Sequence, residues 1–162
     1  MRTEHDDMPP DELIIEVCSR DEASAILSSP SQRADIAFLI SIGEPHDRPP
    51  AGFHHVRDRI RLLFADANDE SGPTDDDVAQ LISFARAVMK RTGRVLIHCQ
   101  AGISRSSAAA VIVHAIALGS GHEHEAVARV MAQRPIACPN RRMIAIADRL
   151  LRLEGKLIAA IG

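Results

Sequence analysis

The chain has 162 residues, 46% of them hydrophobic and 25% charged, which is enough for one compact domain and too few for a second. A formal charge of −3 excludes bulk attraction to nucleic acid or an anionic membrane, so any anion site must be local, and four phenylalanines with no Tyr or Trp make base stacking a poor hypothesis. Cys18, Cys99 and Cys138 are odd in number and widely spaced. That suits neither a disulfide framework nor a clustered zinc site and fits a reducing cytoplasm.

Residues 1–10 (MRTEHDDMPP) read as a disordered lead-in, because a signal peptide would need positive charge followed by an apolar stretch. Glu12 to Cys18 (ELIIEVC) predicts a buried strand, and Ser19 followed by DEASAIL predicts a capped helix. Ala34 to Ile42 is a second continuous apolar strand, closed by Gly43 and by EPHDRPPAG, whose paired prolines forbid regular structure. A third strand runs from Arg61 to Phe64. The polar stretch ADANDESGPTDDD then leads into a helix capped by Thr74 or Asp75, with Val78, Leu81, Ile82, Ala85 and Val88 on one face as far as Lys90. Gly93 is expected to end that helix.

Arg94 to His98 predicts a fourth strand, followed at once by CQAGISRS and by AAAVIVHAIALG, a helix apolar on all sides and therefore central. Its most apolar run, Ala108 to Leu118, contains His114 and is far short of the roughly 20 residues that span a bilayer. Helices over about Glu123–Gln133 and Asn140–Leu153 follow, separated by RPIACP. Strands alternating with helices, then helices alone, predict an α/β fold: a central, mostly parallel sheet of four to five strands flanked by helices, in a single domain over 1–162.

The segment His98–Ser106 carries the chemistry. A loop joining a buried strand to a buried helix gathers backbone N–H groups and the positive helix end at one point, which makes an anion site. Cys99 sits at its mouth, where a thiol loses its proton readily. Arg105, six residues on, offers a planar fork for two phosphoryl oxygens, and the loop residues Gln100, Ala101, Gly102, Ile103 and Ser104 supply the cradle between them. Gly102 is expected to let the loop turn and let an oxyanion approach. Ser106 offers a hydroxyl to the thiolate, and His98 braces the loop rather than acting as a base.

HCQAGISRS resembles the signature loop of protein tyrosine and dual-specificity phosphatases: His-Cys, five residues, Arg, then Ser or Thr. The resemblance covers roughly Ala34 to Leu153, and RPIACPN, with Pro139 and Asn140, is similar to the Pro-Asn step of dual-specificity phosphatases. It implies a dual-specificity-phosphatase-like fold and hydrolysis of phosphomonoesters through a phosphocysteine, the substrate being phosphotyrosine or another phosphorylated protein residue, or a small phosphomonoester. It calls for no cofactor and no metal. It also implies a general acid, an Asp on a loop some 30 residues before the cysteine. Asp66, 33 residues upstream after the strand-like LLFAD, fits by context, and Asp69, 30 residues upstream, competes.

The alternatives are a weakly active phosphate-binding module and a rhodanese-like sulfurtransferase, whose loop lacks the six-residue Cys-to-Arg spacing. Cys18 and Cys138 read as inert, the sharper alternative being a disulfide partner for Cys99. His122 and His124 read as a solvated helix start, since residues two apart do not share a helix face. Arg141 and Arg142 read as surface residues, or as contacts for an acidic flank of the substrate.

Overall fold

A computed structural model describes residues 13–88 and 93–162. The expected lead-in over 1–10 and Lys90, the expected end of the first long helix, lie outside the described residues. Among the described residues the elements run β1 (Leu13–Cys18), α1 (Arg20–Ser28), α2 (Pro30–Arg33), β2 (Ile36–Gly43), β3 (Asp58–Leu63), α3 (Asp75–Val88), β4 (Gly93–His98), α4 (Arg105–Leu118), α5 (Glu123–Gln133), α6 (Arg141–Leu150) and α7 (Lys156–Ala160), with a 3-10 turn at Phe53–His55. The four strands form one parallel sheet in the order β1-β4-β2-β3.

Both faces of the sheet are covered, which explains why the strands read as continuous apolar runs instead of alternating ones. On one face Ile40 and Ile42 of β2 and Val95 and Ile97 of β4 join the larger core with α3 to α7. On the other, Leu39 and Leu96 pack with Ala23 and Leu27 of α1 and with Phe53. α4 carries no polar stripe because Arg105 through Ala115 are all buried. Because the strands are parallel, the segments that follow Cys18, Gly43, Leu63 and His98 converge on one edge, where open α/β sheets hold their ligands.

Local chemistry sets the boundaries. Ser19 caps α1 in a reciprocal capping box with Glu22, and Thr74 accepts from the Asp77 amide while the Asp77 carboxylate accepts from the Thr74 amide. The face Val78, Leu81, Ile82, Ala85 and Val88 is buried as its spacing predicts. β3 starts three residues before the expected Arg61, because an edge strand tolerates the charged Asp58 and Arg59, which an apolar-run criterion rejects. Gly93 opens β4 rather than ending α3: its φ is +138°, and a Cβ there would lie 2.4 Å from that of Ala37. α6 stops at Leu150, short of Leu153. The four-residue α2 and the five-residue α7 have no periodicity to read. α7 is held instead by the buried Asp148, whose carboxylate accepts from the amides of Gly155, Leu157 and Ile158.

Candidate active site

From Cys99 to Ser104 every carbonyl of the β4–α4 loop is bonded away from the loop's concave side. Cys99 O accepts from His98 Nδ1 and Gln100 O from the Arg20 amide. Ala101 O and Gly102 O accept from Nη2 and Nε of Arg134. Ile103 O and Ser104 O accept from the amides of Cys138 and Asn140, and both also accept from the Ser107 hydroxyl. With the carbonyls tied outward, the amides turn inward, and the N-terminus of α4 adds its positive end.

Cys99 occupies this concavity, buried, with its Sγ 3.0 Å from Ser106 Oγ. Burial pushes its pKa up. Hydrogen bonds from the Ser106 hydroxyl and from the amides of Ser106, Gly102 and Ile103 outweigh that effect and hold the thiol below its ordinary range.

Gly102 has φ +70°, as the turn requires, but the room it leaves is not on the oxyanion side. A Cβ there would stand 2.6 Å from the Cys18 carbonyl carbon and 2.7 Å from Arg134 Nη2, so the close approach is to the packed back of the loop, which corrects the expectation. The side chains of Gln100, Ala101 and Ile103 are exposed at the rim.

His98 is fully buried, and burial, with the nearby Arg61, Arg20 and Arg105 charges, lowers its pKa to about 4 against the raising influence of its bond to Cys99. The ring is therefore neutral at pH 7. A carbonyl only accepts, so Nδ1 carries the proton toward Cys99 O and Nε2 accepts from Ser41 Oγ at 2.6 Å.

Arg105 is buried at the first turn of α4. Its Nη1 donates to Phe64 O at 2.8 Å and pairs with Glu44 Oε1 at 3.0 Å. Among the described residues its Nε is buried without a hydrogen-bond partner. The guanidinium is thus fixed by one nitrogen and keeps a donor for an incoming anion.

Asp66 lies beside the same loop on the exposed segment after β3. Its Oδ1 accepts from Ser104 Oγ at 2.7 Å and from Asn140 Nδ2 at 2.9 Å. Asn140 also donates to Ala67 O and caps α6 through the Met143 amide. Asp69 turns onto its own loop, where the Ser71 hydroxyl and amide hold its carboxyl below the usual range.

Arg134 escaped the sequence reading. It pairs with Glu22 and clamps two loop carbonyls, and its only signal is a basic residue directly before the PIACP segment. Arg142 is likewise not a free surface residue: its Nε donates to Pro73 O at 2.7 Å and its amide to Asn68 Oδ1, pinning the Asp66 loop to α6. Arg141 is exposed and donates to Gly162 O. Cys18 faces α1, across the sheet from Cys99, and burial pushes its thiol up to about 12, with Glu16 and Glu22 adding to the effect. Both thiols are free. Cys138 is exposed. His122 Nδ1 lies 3.6 Å from Glu125 Oε2 at the start of α5, and among the described residues no group of three or more metal-ligating side chains occurs. No helix of the described residues is long and apolar enough to cross a membrane.

Comparison with known proteins bears on the fold and the family. The family model "Dual specificity phosphatase, catalytic domain" matches residues 21–147. Human DUSP28 superposes with a TM-score of 0.65 at 21% identity, covering 90% of this chain and 94% of that one. DUSP15 gives 0.65 at 22%, covering 96% and 97%. A mouse putative dual specificity phosphatase complexed with zinc tungstate gives 0.62 at 21%, covering 95% and 93%. Nothing among curated protein sequences matches. The chain belongs to the dual-specificity phosphatase family and is a phosphatase of the cysteine-dependent protein tyrosine/dual-specificity type. The sulfurtransferase and binding-module readings are not favoured.

Proposed function

We propose that the chain hydrolyses phosphorylated protein residues, phosphotyrosine or others, with Cys99 as nucleophile, Arg105 as phosphoryl ligand and Asp66 as general acid. The Cys99 thiolate attacks phosphorus, and the bond from phosphorus to the ester oxygen breaks. Asp66 gives its proton to that oxygen, so the alcohol leaves neutral. Water then attacks the phosphocysteine, Asp66 takes the water proton, and phosphate departs with the thiolate restored. The inward amides and Arg105 meet the charge spread over the equatorial oxygens.

The observation that carries this reading is the Cys99 thiol held low by Ser106 and the loop amides within a loop whose carbonyls all point away. Asp66 is favoured over Asp69 because it touches the loop through Ser104, with both of its side-chain hydrogen bonds on Oδ1 leaving Oδ2 to carry the proton. The reaction uses protein groups alone, so we propose no cofactor. A catalytic thiolate suits a reducing compartment, which supports a cytoplasmic location.

The test is acid quenching of the enzyme during turnover of a phosphotyrosine peptide, followed by mass analysis of the fragment containing Cys99. One added phosphate on that fragment is expected. Steady turnover without it argues for direct attack by water.

A further inference from the structure

Across the carboxyl end of the sheet, one residue of each strand falls in register: Cys18 of β1 beside His98 of β4, His98 beside Ser41 of β2, and Ser41 beside Arg61 of β3. In-register neighbours share a face. The row therefore lies on the α1 side, behind the cradle, and its last three members are bonded in series.

Arg61 Nη1 donates to Ser41 Oγ at 2.8 Å, Ser41 donates to His98 Nε2, and His98 Nδ1 donates to Cys99 O. The direction of each bond is forced. The carbonyl can only accept, the neutral ring has one proton, and the serine spends its own proton on Nε2, so its oxygen needs an outside donor. Arg61 Nη1 supplies that donor.

The other nitrogen of the same fork serves a different segment. Arg61 Nη2 donates to Asp47 O at 3.2 Å and Arg48 O at 3.1 Å, in the turn that follows β2. Arg20 takes Arg48 O and Pro49 O in the same turn. Asp47 and Glu44 close it reciprocally: Asp47 Oδ2 accepts from the Glu44 amide, and Glu44 O accepts from the Asp47 amide. This turn delivers Glu44 to Arg105. Gly43 makes room for the arrangement, because a Cβ there would stand 2.7 Å from Arg61 Nη2. The charges around the three bonded members are Arg61 from β3, Arg20 from α1, Arg105 from α4, and Asp47 and Glu44 from the turn, and those around Cys18 are Glu16 from β1, Glu22 from α1 and Arg134 after α5.

We propose that Arg61 is a positioning residue that aligns both halves of the cradle at once, the nucleophile through Ser41 and His98 and the phosphoryl-binding arginine through the 44–48 turn and Glu44. The proposal rests on the roles assigned above to Cys99 and Arg105. Lysine cannot replace Arg61, because one ammonium cannot reach both the serine and the two carbonyls in the geometry of a fork.

The test uses two readouts that need no turnover, so inactivity of the wild type toward phosphomonoesters speaks against the phosphatase reading and leaves this one measurable. The first is the pH midpoint of Cys99 alkylation by iodoacetate, followed by mass on the Cys99 fragment to separate it from Cys138. The second is the affinity for inorganic phosphate of each variant carrying Cys99→Ser. Ser41→Ala is expected to raise the midpoint by about one unit and leave phosphate affinity within about twofold, and Glu44→Gln to weaken phosphate about tenfold with the midpoint in place. Arg61→Lys must move both. Gly43→Ala, which crowds the fork and keeps its charge, must also move both, and it carries the test if Arg61→Lys does not fold. Movement of only one readout by the Arg61 and Gly43 variants, or a lowered melting temperature with neither readout moved, overturns the proposal.

Discussion

Asn140 Nδ2 lies 2.9 Å from Asp66 Oδ1, joining residues 74 apart in sequence. The same side chain, itself buried, caps α6, so it ties the Asp66 loop to the start of that helix. Asn140→Ala removes both contacts and is expected to cost about 1 kcal/mol of stability through the lost cap. Asn140→Asp keeps the cap and replaces the donor with a second carboxylate facing Asp66. Melting temperature and kcat separate the two: Asn140→Ala lowers both, whereas Asn140→Asp lowers kcat with the smaller change in melting temperature.

If Asp66 protonates the leaving group, Asp66→Asn must hurt alkyl phosphates, whose alkoxides leave poorly, far more than aryl phosphates. A kcat loss of about 10²- to 10⁴-fold on alkyl substrates matches general-acid catalysis. The alkaline limb of the pH profile should flatten as well. Asp69→Asn should leave both leaving-group series within about twofold, since that carboxylate is engaged by Ser71.

Gly102→Ala places a methyl against the Cys18 backbone at a residue with φ +70°. The left-handed conformation alone costs about 1–2 kcal/mol for an L residue, and the backbone contact adds to it. Circular-dichroism melting should show the loss, and kcat should fall because the loop amides move with Gly102.

Burial lowers the pKa of His98 and His114 to about 4 from the ordinary 6.5. The unfolded chain then binds more protons than the folded one between these values, so the stability both groups contribute above pH 6.5 drains away as pH falls toward 4. Each unit of displacement corresponds to about 1.4 kcal/mol per group. Melting temperature measured from pH 7.5 to 4.5 is expected to drop steadily below pH 6.5, and His114→Asn should soften the decline.

Much of the site was legible because the loop is one stretch of chain. His98, Cys99, Gly102, Arg105 and Ser106 are close in sequence, and the strand before them and the apolar helix after them have readable periods. Asp66 was reachable through the family resemblance and its position after a strand. What could not be read joins distant segments. Glu44 meets Arg105 and Glu22 meets Arg134 across 61 and 112 residues of chain, and Arg61 meets Ser41 only once β2 and β3 have paired in register. Arg142 looked like a solvent residue because its partners, Pro73 O and Asn68, are a backbone carbonyl and a loop amide that no pattern announces. Gly102 was read for the correct conformation and the wrong neighbour, since φ follows from the turn whereas the crowding depends on where β1 ends.

The most direct test of Cys99 as an activated nucleophile is aryl-phosphate hydrolysis by wild type and Cys99→Ser across pH, with inorganic phosphate binding measured on the serine variant. Wild type is expected to turn over with an acidic limb governed by a thiol ionising below its ordinary range. Cys99→Ser is expected to bind phosphate without turnover. Hydrolysis retained by Cys99→Ser contradicts the account.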